Sequence, residues 1–193
     1  MTPPDIITSR HAGLQMPDRR AFLLAAAFAP EAFAQAAQAL PGFWNQPRWV
    51  WLKRPATGEE IRAVYWAQGQ LVQSEYLRIC WFLRDVRAKK SMYMSIVLLD
   101  MLYATSAWLA WHGMARPITT TSGARFASTN AMIEGAAKDG LHQEGRAHDG
   151  LIEGVSLESM VKLGAWLGGG GVGYYPAKKF CHWDDGRVRF WKG

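Results

Sequence analysis

Cysteine is scarce in this chain: its 193 residues include only two, Cys80 and Cys181. Two cysteines are too few for a disulfide scaffold. Separate buried thiols fit the usual burial of cysteine and are favoured over a bridge between the two. Cys181 as a metal ligand is a third alternative. It is disfavoured because alternate side chains of a strand point to opposite faces, which would separate Cys181 from the neighbouring His182.

The chain also lacks a long hydrophobic run free of charge. The most apolar stretch predicts a helix from about Ser95 to His112, and Asp100 lies within it. A charged residue in the middle of a membrane-spanning helix costs about 2.5 to 3.5 kcal/mol. We therefore expect a central core helix here, and no transmembrane segment in the mature chain.

Acidic residues are fewer than basic ones, with 16 Asp and Glu against 22 Lys and Arg, so the net charge is +6. A basic protein is attracted to polyanions. Because no nucleic-acid-binding motif is present, we do not expect nucleic acid as the partner. For an exported protein, the cell wall is the polyanionic surface that this charge favours.

Tryptophan, in contrast, is abundant, with ten residues. An excess of aromatic residues fits a packed core, and it also suits a groove that binds sugar rings or extended peptides. The core interpretation is favoured, since 49% apolar residues is ample for one domain of this length.

The N-terminal segment has the pattern of an export signal. The pair Arg19-Arg20 resembles a twin-arginine motif, and the apolar run that follows, residues 21–29, is too short to span a bilayer. Ala32-Phe33-Ala34 offers a cleavage site. We expect residues 1–34 to be a twin-arginine signal and the mature protein to be periplasmic. The signal carries three basic and three acidic residues, so its removal leaves the net charge at +6.

We interpret the remaining sequence as a linker, residues 35–47, followed by one domain, residues 48–193. Alternation and turn residues predict strands at 48–53, 61–66, 117–122, 146–152, 172–175, 180–184 and 188–191. Apolar periodicity predicts helices at 74–88, 95–112, 128–137 and 156–167. Because strands and helices mix without strict alternation, the expected fold class is α+β with a mainly antiparallel sheet and packed helices.

Four residues of the C-terminal half form the pattern H-x6-D followed by H-x-D, namely His142, Asp149, His182 and Asp184. Two imidazoles and one carboxylate are the ligand set of a catalytic zinc site that keeps its fourth position open. His142, Asp149 and His182 are therefore candidate ligands of one Zn²⁺ ion, which lowers the pKa of a bound water to about 7. This chemistry is typical of a zinc-assisted hydrolase.

The sequence around this pattern carries a family resemblance. Residues 140–149, GLHQEGRAHD, resemble the S-x-H-x-x-G-x-A-x-D signature of the zinc D-Ala-D-Ala peptidases, and FCHWD at 180–184 is similar to their F-V-H-V-D. SGAR at 122–125 with TNAM at 129–132 is similar to their S-G-Y-R-S-P-x-T-N segment. From Arg48 to Trp191, in order and spacing, the chain resembles the murein endopeptidase K branch of that family.

The resemblance implies a hedgehog/D-Ala-D-Ala metallopeptidase-like fold. It implies a zinc peptidase that acts on stem peptides or cross-links of peptidoglycan, with His142, Asp149 and His182 as metal ligands. Arg125 matches the arginine with which the family contacts its substrate. Asp184 has two open roles, as the general base or as a group that orients a ligand histidine.

Several positions depart from the family pattern. Lys179 stands where some members have an acid three residues before the last histidine, and Gly140 and Ala124 replace a Ser and a Tyr. His148 replaces an apolar residue before Asp149, and we expect it on the opposite face of the strand, toward solvent or behind the ligands. A non-catalytic zinc- or wall-binding protein, and an acylase or amidase with another substrate, remain the alternatives.

The export prediction is tested by changing Arg19 and Arg20 together to Lys. Because the twin-arginine route depends on this pair, the double variant should accumulate as an uncleaved precursor inside the cell, measured by fractionation and immunoblotting. Mature protein outside the inner membrane at the wild-type level would contradict this route.

Overall fold

A computed structural model describes residues 42–193, so the expected export signal and most of the expected linker lie outside the described residues. The strands are β1 Arg48–Arg54, β2 Glu59–Ala67, β3 Gln70–Leu71, β4 Ile118–Ser122, β5 Ala147–Ile152, β6 Gly171–Tyr175, β7 Phe180–Asp184 and β8 Arg189–Lys192. The helices are α1 Gln73–Phe82, α2 Ile96–Trp111, α3 Ala127–Asn130, α4 Leu157–Leu167 and a 3₁₀ helix, Leu141–Glu144.

The eight strands form one sheet in the order β3-β2-β1-β4-β5-β7-β6-β8. The pairs β1–β4 and β6–β8 are parallel, and the other neighbouring pairs are antiparallel. Helix α1 packs on β2, α2 on β1, and α4 on β6 and β7. The expected α+β class with a mainly antiparallel sheet is confirmed.

Helix α2 is the central core helix that its composition predicts. Ser95 caps its N-terminus by accepting from the Leu98 amide, and most of its side chains are buried. Asp100 accepts two hydrogen bonds from Arg48, at 3.0 and 2.8 Å, and one from the Tyr65 hydroxyl at 2.6 Å. The one charge of the helix is therefore neutralised at the sheet. Among residues 42–193, no helix combines the length and the apolar character that crossing a membrane requires.

Helix α1 is shorter than predicted, and some of its apolar side chains are exposed. It ends at Phe82 rather than near Ala88, because Asp85 starts a turn in which its carboxylate accepts from the Ala88 amide at 2.9 Å. Its N-cap residue is Val72, and two of its apolar side chains, Leu77 and Trp81, are 44% and 53% exposed. The buried face consists of residues spaced three or four apart: Tyr76, Ile79, Cys80 and Leu83.

The helix predicted at 128–137 is a single turn, α3. The helix ends at Asn130, whose side chain donates to the Ala137 carbonyl at 2.9 Å across the loop that follows, and Gly135 in this loop has a φ of 75°. Ser156, the first residue of the helix predicted at 156–167, caps α4, since its hydroxyl accepts from the Ser159 amide at 3.1 Å.

The two cysteines are separate, buried and free, as favoured. The Cys181 thiol donates to the Leu157 carbonyl on α4, at 3.4 Å. At the start of the described chain, Phe43 stacks on Tyr103 of α2 with ring centroids 5.0 Å apart. The last residues of the segment expected to be a linker thus pack against the domain.

Candidate metal centre

The candidate ligands Asp149 and His182 lie opposite each other on neighbouring strands, β5 and β7. Side chains of a strand alternate between its two faces. Trp183 therefore lies on the other face, where it meets α4 at Gly164. The helix covers one side of these strands, and the candidate ligands occupy the opposite side.

His142 reaches the same place from the 3₁₀ helix. Gly145 ends this helix with a φ of 69°, a conformation that favours glycine, so that β5 begins two residues later. The backbone also fixes the helix from the side, because the Arg125 amide donates to the His142 carbonyl at 2.9 Å. The turn at Gly145 that the H-x6-D spacing requires is thus present.

The three side chains converge on one point. His142 Nε2 lies 3.2 Å from Asp149 Oδ1 and 3.2 Å from His182 Nδ1, and the latter two atoms are 2.7 Å apart. Within residues 42–193, these three form the one group of His, Cys, Asp and Glu side chains placed to share a metal ion.

The second nitrogen of each imidazole fixes its tautomer. His142 Nδ1 lies 2.6 Å from the Gly123 carbonyl oxygen, which only accepts, so Nδ1 carries the proton. His182 Nε2 lies 2.9 Å from Asp184 Oδ2 and donates to it. When His182 is neutral, the lone pairs of His142 Nε2 and His182 Nδ1 therefore face each other and a carboxylate oxygen, an arrangement that a metal cation or a proton on Nδ1 stabilises.

The electrostatics of the centre favour positive charge. Burial alone would raise the pKa of Asp149, but the charges and hydrogen bonds of His142 and His182 outweigh it and hold that pKa well below its usual range. Burial would likewise lower the pKa of His182, but its hydrogen bonds with Asp149 and Asp184 outweigh this effect and raise it. Asp149 is thus ionised at neutral pH, as a metal ligand must be.

Asp184 is fully buried and lies behind the imidazole of His182. Its carboxylate accepts from the amides of Gly171 and Gly186 at 3.1 and 2.9 Å. It also accepts two bonds from the Arg189 guanidinium, at 3.0 and 2.8 Å. Desolvation raises its pKa, yet the hydrogen bonds from His182, Arg189 and Gly186 outweigh it and keep the pKa well below the usual range.

Arg125 contacts the candidate ligand Asp149. Its Nη2 donates to Asp149 Oδ2, the carboxylate oxygen turned away from the two histidines, and its Nε donates to the Ser122 hydroxyl at 2.7 Å. The Arg125 side chain as a whole is 12% exposed.

Two other residues near the centre lie on the opposite face of the sheet. His148 is buried, so of the two alternatives the solvent-facing side chain is wrong, and it shares a hydrogen bond with the Thr120 hydroxyl at 3.0 Å. Burial lowers its pKa to about 3, so it is neutral at neutral pH. Cys181, for which metal ligation was one alternative, also faces away from the three converging atoms, toward α4.

Two further residues near the centre, Arg189 and Trp191, are not indicated by the sequence motifs. Arg189 binds Asp184 of β7 from β8, across the intervening strand β6, and the Trp191 ring lies 5.3 Å from that of His182. The signal that could have found them is their spacing in the strand predicted at 188–191. Residues two apart on a strand point to the same face, so Arg189 and Trp191 share one face.

Comparison with known proteins identifies the family. The sequence profile described as peptidoglycan L,D-endopeptidase MepK matches residues 43–191. The chain belongs to this family. Over 150 residues it is 36% identical to the peptidoglycan L,D-endopeptidase MepK of Escherichia coli strain K12, a match that covers 76% of this chain and 81% of the relative. The resemblance drawn from the sequence motifs is thereby confirmed.

A more distant member of the MepK family comes from Haemophilus influenzae and is named a probable peptidoglycan L,D-endopeptidase. It is 32% identical over 152 residues, which are 77% of this chain and 81% of that protein. No solved structure shows a significant match to this chain.

The ligand assignment predicts that metal retention depends on all three side chains. Asp149→Ala and His182→Ala should each lose most of the bound divalent metal after mild dialysis against a chelator, because two protein ligands hold an ion far more weakly than three. Elemental analysis by mass spectrometry measures the metal content. His112→Ala, an exposed histidine at the end of α2, is the control and should keep the wild-type content. Near-stoichiometric metal in either ligand variant would contradict the assignment.

Proposed function

We propose that this protein is a zinc-dependent endopeptidase that hydrolyses L,D peptide bonds in the stem peptides or cross-links of peptidoglycan. The observation that carries the proposal is the convergence of three possible ligand atoms, His142 Nε2, Asp149 Oδ1 and His182 Nδ1, on one point. The substrate class is supported by membership in a family whose relatives are named peptidoglycan L,D-endopeptidases.

The donor set supports zinc as the metal. Two imidazole nitrogens and one carboxylate oxygen are a frequent ligand set of catalytic zinc, with metal–ligand distances of about 2.0 to 2.1 Å. Ligands at these distances in a tetrahedron are about 3.3 Å apart. Two of the three separations here are 3.2 Å, and the third, between Asp149 and His182, is 2.7 Å.

A bound zinc ion supplies the Lewis acidity that activates water and polarises a peptide carbonyl. The protein holds the ligands ready for it. His142 is anchored through Gly123 and His182 through Asp184, so that neither ring turns its protonated nitrogen toward the metal position.

Asp184 orients His182 in this proposal and does not act as the base. The carboxylate contacts Nε2 of His182, whereas Nδ1 of the same ring faces the metal position, so the imidazole separates Asp184 from the place where water would react. A general base must lie within hydrogen-bond reach of the proton that it takes. Asp184 is in addition fully buried and accepts five hydrogen bonds, from His182, Arg189, Gly171 and Gly186.

Arg125 has two tasks in this proposal. Its contact with Asp149 Oδ2 leaves Oδ1 as the single ligand atom of that carboxylate. The Arg125 side chain, which is 12% exposed, would also donate to a peptide carbonyl or a carboxylate of the stem peptide. This second task is the one that the family resemblance implies.

The place of action follows from the substrate. Peptidoglycan lies outside the inner membrane, so we propose that the mature protein is periplasmic and reaches the periplasm by the twin-arginine route. The net charge of +6 supports attraction to the anionic wall.

The functional test uses purified, zinc-loaded protein and muropeptides joined by L,D cross-links, with products identified by mass spectrometry. The wild-type protein should release the uncross-linked peptides. In Asp184→Asn, zinc affinity should fall by about 10- to 100-fold because the acceptor of His182 loses its negative charge, and excess zinc should restore cleavage. Asp185→Asn is the matched control, since this neighbouring carboxylate binds Arg146 and Ser95 instead of a ligand.

Each other outcome has a distinct meaning. A loss of turnover of about 100-fold in Asp184→Asn with full zinc loading would assign Asp184 as the base instead. Zinc-loaded wild-type protein that releases nothing would overturn the peptidase and leave a non-catalytic zinc- or wall-binding protein. Release by cleavage of an amide outside the peptide cross-link would indicate an amidase.

A further inference from the structure

On the face of the sheet that carries the candidate metal ligands, strand β6 has glycine at two successive positions, residues 171 and 173. Gly173 lies between His182 of β7 and Trp191 of β8, and Gly171 lies in line with Arg189 of β8. We call Gly171 and Gly173 the glycine trough. Because β8 is the last strand of the sheet, its side chains cross this trough to reach β7.

Arg189 crosses the trough at Gly171. Its guanidinium donates to both oxygens of Asp184, at 3.0 and 2.8 Å, which is the bidentate geometry that fixes a carboxylate most firmly. A Cβ atom at Gly171 would lie 2.6 Å from Asp184 Oδ2 and 2.7 Å from Arg189 Cζ. This ion pair therefore requires glycine at position 171.

Trp191 crosses the trough at Gly173. Its indole N–H donates to the Tyr175 hydroxyl at 2.9 Å, and its ring centroid lies 5.3 Å from that of His182. A Cβ atom at Gly173 would lie 2.7 Å from two carbons of the indole ring, so any larger residue would displace Trp191.

We propose that Arg189 and Trp191, on the edge strand β8, are positioning residues for the metal ligand His182. This inference rests on the metal centre proposed above. Arg189 acts through Asp184, which holds the Nε2 side of the imidazole. Trp191 packs against the imidazole ring and limits its rotation about the Cβ–Cγ bond. Together they fix the direction of Nδ1, the atom that faces the metal position.

Gly173→Ala is the sharpest test, because it adds one methyl group and alters no group that contacts the metal position. Position 173 does not have the positive φ that would strain an alanine. The displaced Trp191 should free the His182 ring and weaken Zn²⁺ binding by about 10-fold, as expected for lost support of a ligand histidine. Competition with a chromophoric chelator measures the affinity.

Arg189→Lys tests the second contact. Lysine keeps the charge but lacks the planar fork, so Asp184 should lose one of its two bonds and Zn²⁺ affinity should fall by about 10-fold or more. Arg187→Lys is the matched control, because Arg187 lies just before β8 and its side chain is exposed. The Zn²⁺ affinity of this variant should equal that of the wild type.

Phe190→Ala is the control for the aromatic contact. Phe190 lies between the two positioning residues on β8, is 55% exposed, and points to the other face of the strand. A double-mutant cycle adds a further check: in a Trp191→Ala background, Gly173→Ala should have a smaller effect than in the wild type, since the Trp191 ring is already absent and only the contact of the new Cβ with Tyr175 Cε2, at 2.8 Å, remains.

Substitution with Co²⁺ provides a readout other than activity. The visible absorption of bound Co²⁺ depends on ligand geometry, so Gly173→Ala and Arg189→Lys should change the spectrum, and Arg187→Lys and Phe190→Ala should not. The melting temperature of the metal-free protein separates this effect from a loss of folding.

Zinc affinities within twofold of the wild type and unchanged Co²⁺ spectra in Gly173→Ala, Arg189→Lys and Trp191→Ala would overturn the inference while leaving the metal centre intact. A wild-type protein that binds neither Zn²⁺ nor Co²⁺ would overturn the metal centre and this inference together. Neither the affinity measurements nor the Co²⁺ spectra depend on muropeptide cleavage, so a failure of the proposed peptidase activity would be recognised separately.

Discussion

The convergence of three hydrogen-bond acceptors on one point is the constraint on which the rest of the site depends. While His182 is neutral, His142 Nε2, Asp149 Oδ1 and His182 Nδ1 repel one another unless a metal cation lies among them. The Gly123 carbonyl and the Asp184 carboxylate enforce this arrangement, because they occupy the protonated nitrogens of the two rings. The local fold, including the 3₁₀ helix and the sharp turn at Gly145, brings the three atoms together at the cost of this repulsion.

Each carboxylate of the centre is paired with an arginine. Arg125 binds the outer oxygen of Asp149, and Arg189 binds both oxygens of Asp184. These pairs keep the two acids ionised inside the protein, which suits a ligand and an orienting group. The same pairs make both carboxylates poor bases. In the proposed reaction, catalysis would then depend chiefly on the metal and on substrate positioning, since Lys179 stands where some members of the family have an acid.

Local sequence patterns predicted most of the sheet but not the contacts between its distant strands. Strand β7 has the predicted bounds, 180–184, because its alternation and its flanking turns are local signals. The reach of Arg189 and Trp191 across β6 depends on the β6–β8 pairing, which no local pattern specifies. In α1, two adjacent apolar stripes were compatible with the sequence, and tertiary packing buried the one that contains Tyr76 and Ile79.

The candidate site was predicted from motif and resemblance together, since His and Asp at a given spacing are common by chance. The spacing H-x6-D was informative because a turn at Gly145 is what it requires. The role of Asp184 could not be predicted, because it depends on which nitrogen of His182 the carboxylate meets, and sequence does not specify the orientation of a ring.

X-ray absorption at the zinc edge tests the central claim most directly, because it counts and identifies the atoms bound to the metal in the folded protein. The account predicts a first shell of nitrogen and oxygen at about 2.0 to 2.1 Å, with two imidazoles and no sulfur. A sulfur atom at about 2.3 Å, or a shell containing one imidazole or three, would contradict the assignment of His142, Asp149 and His182 as the ligands.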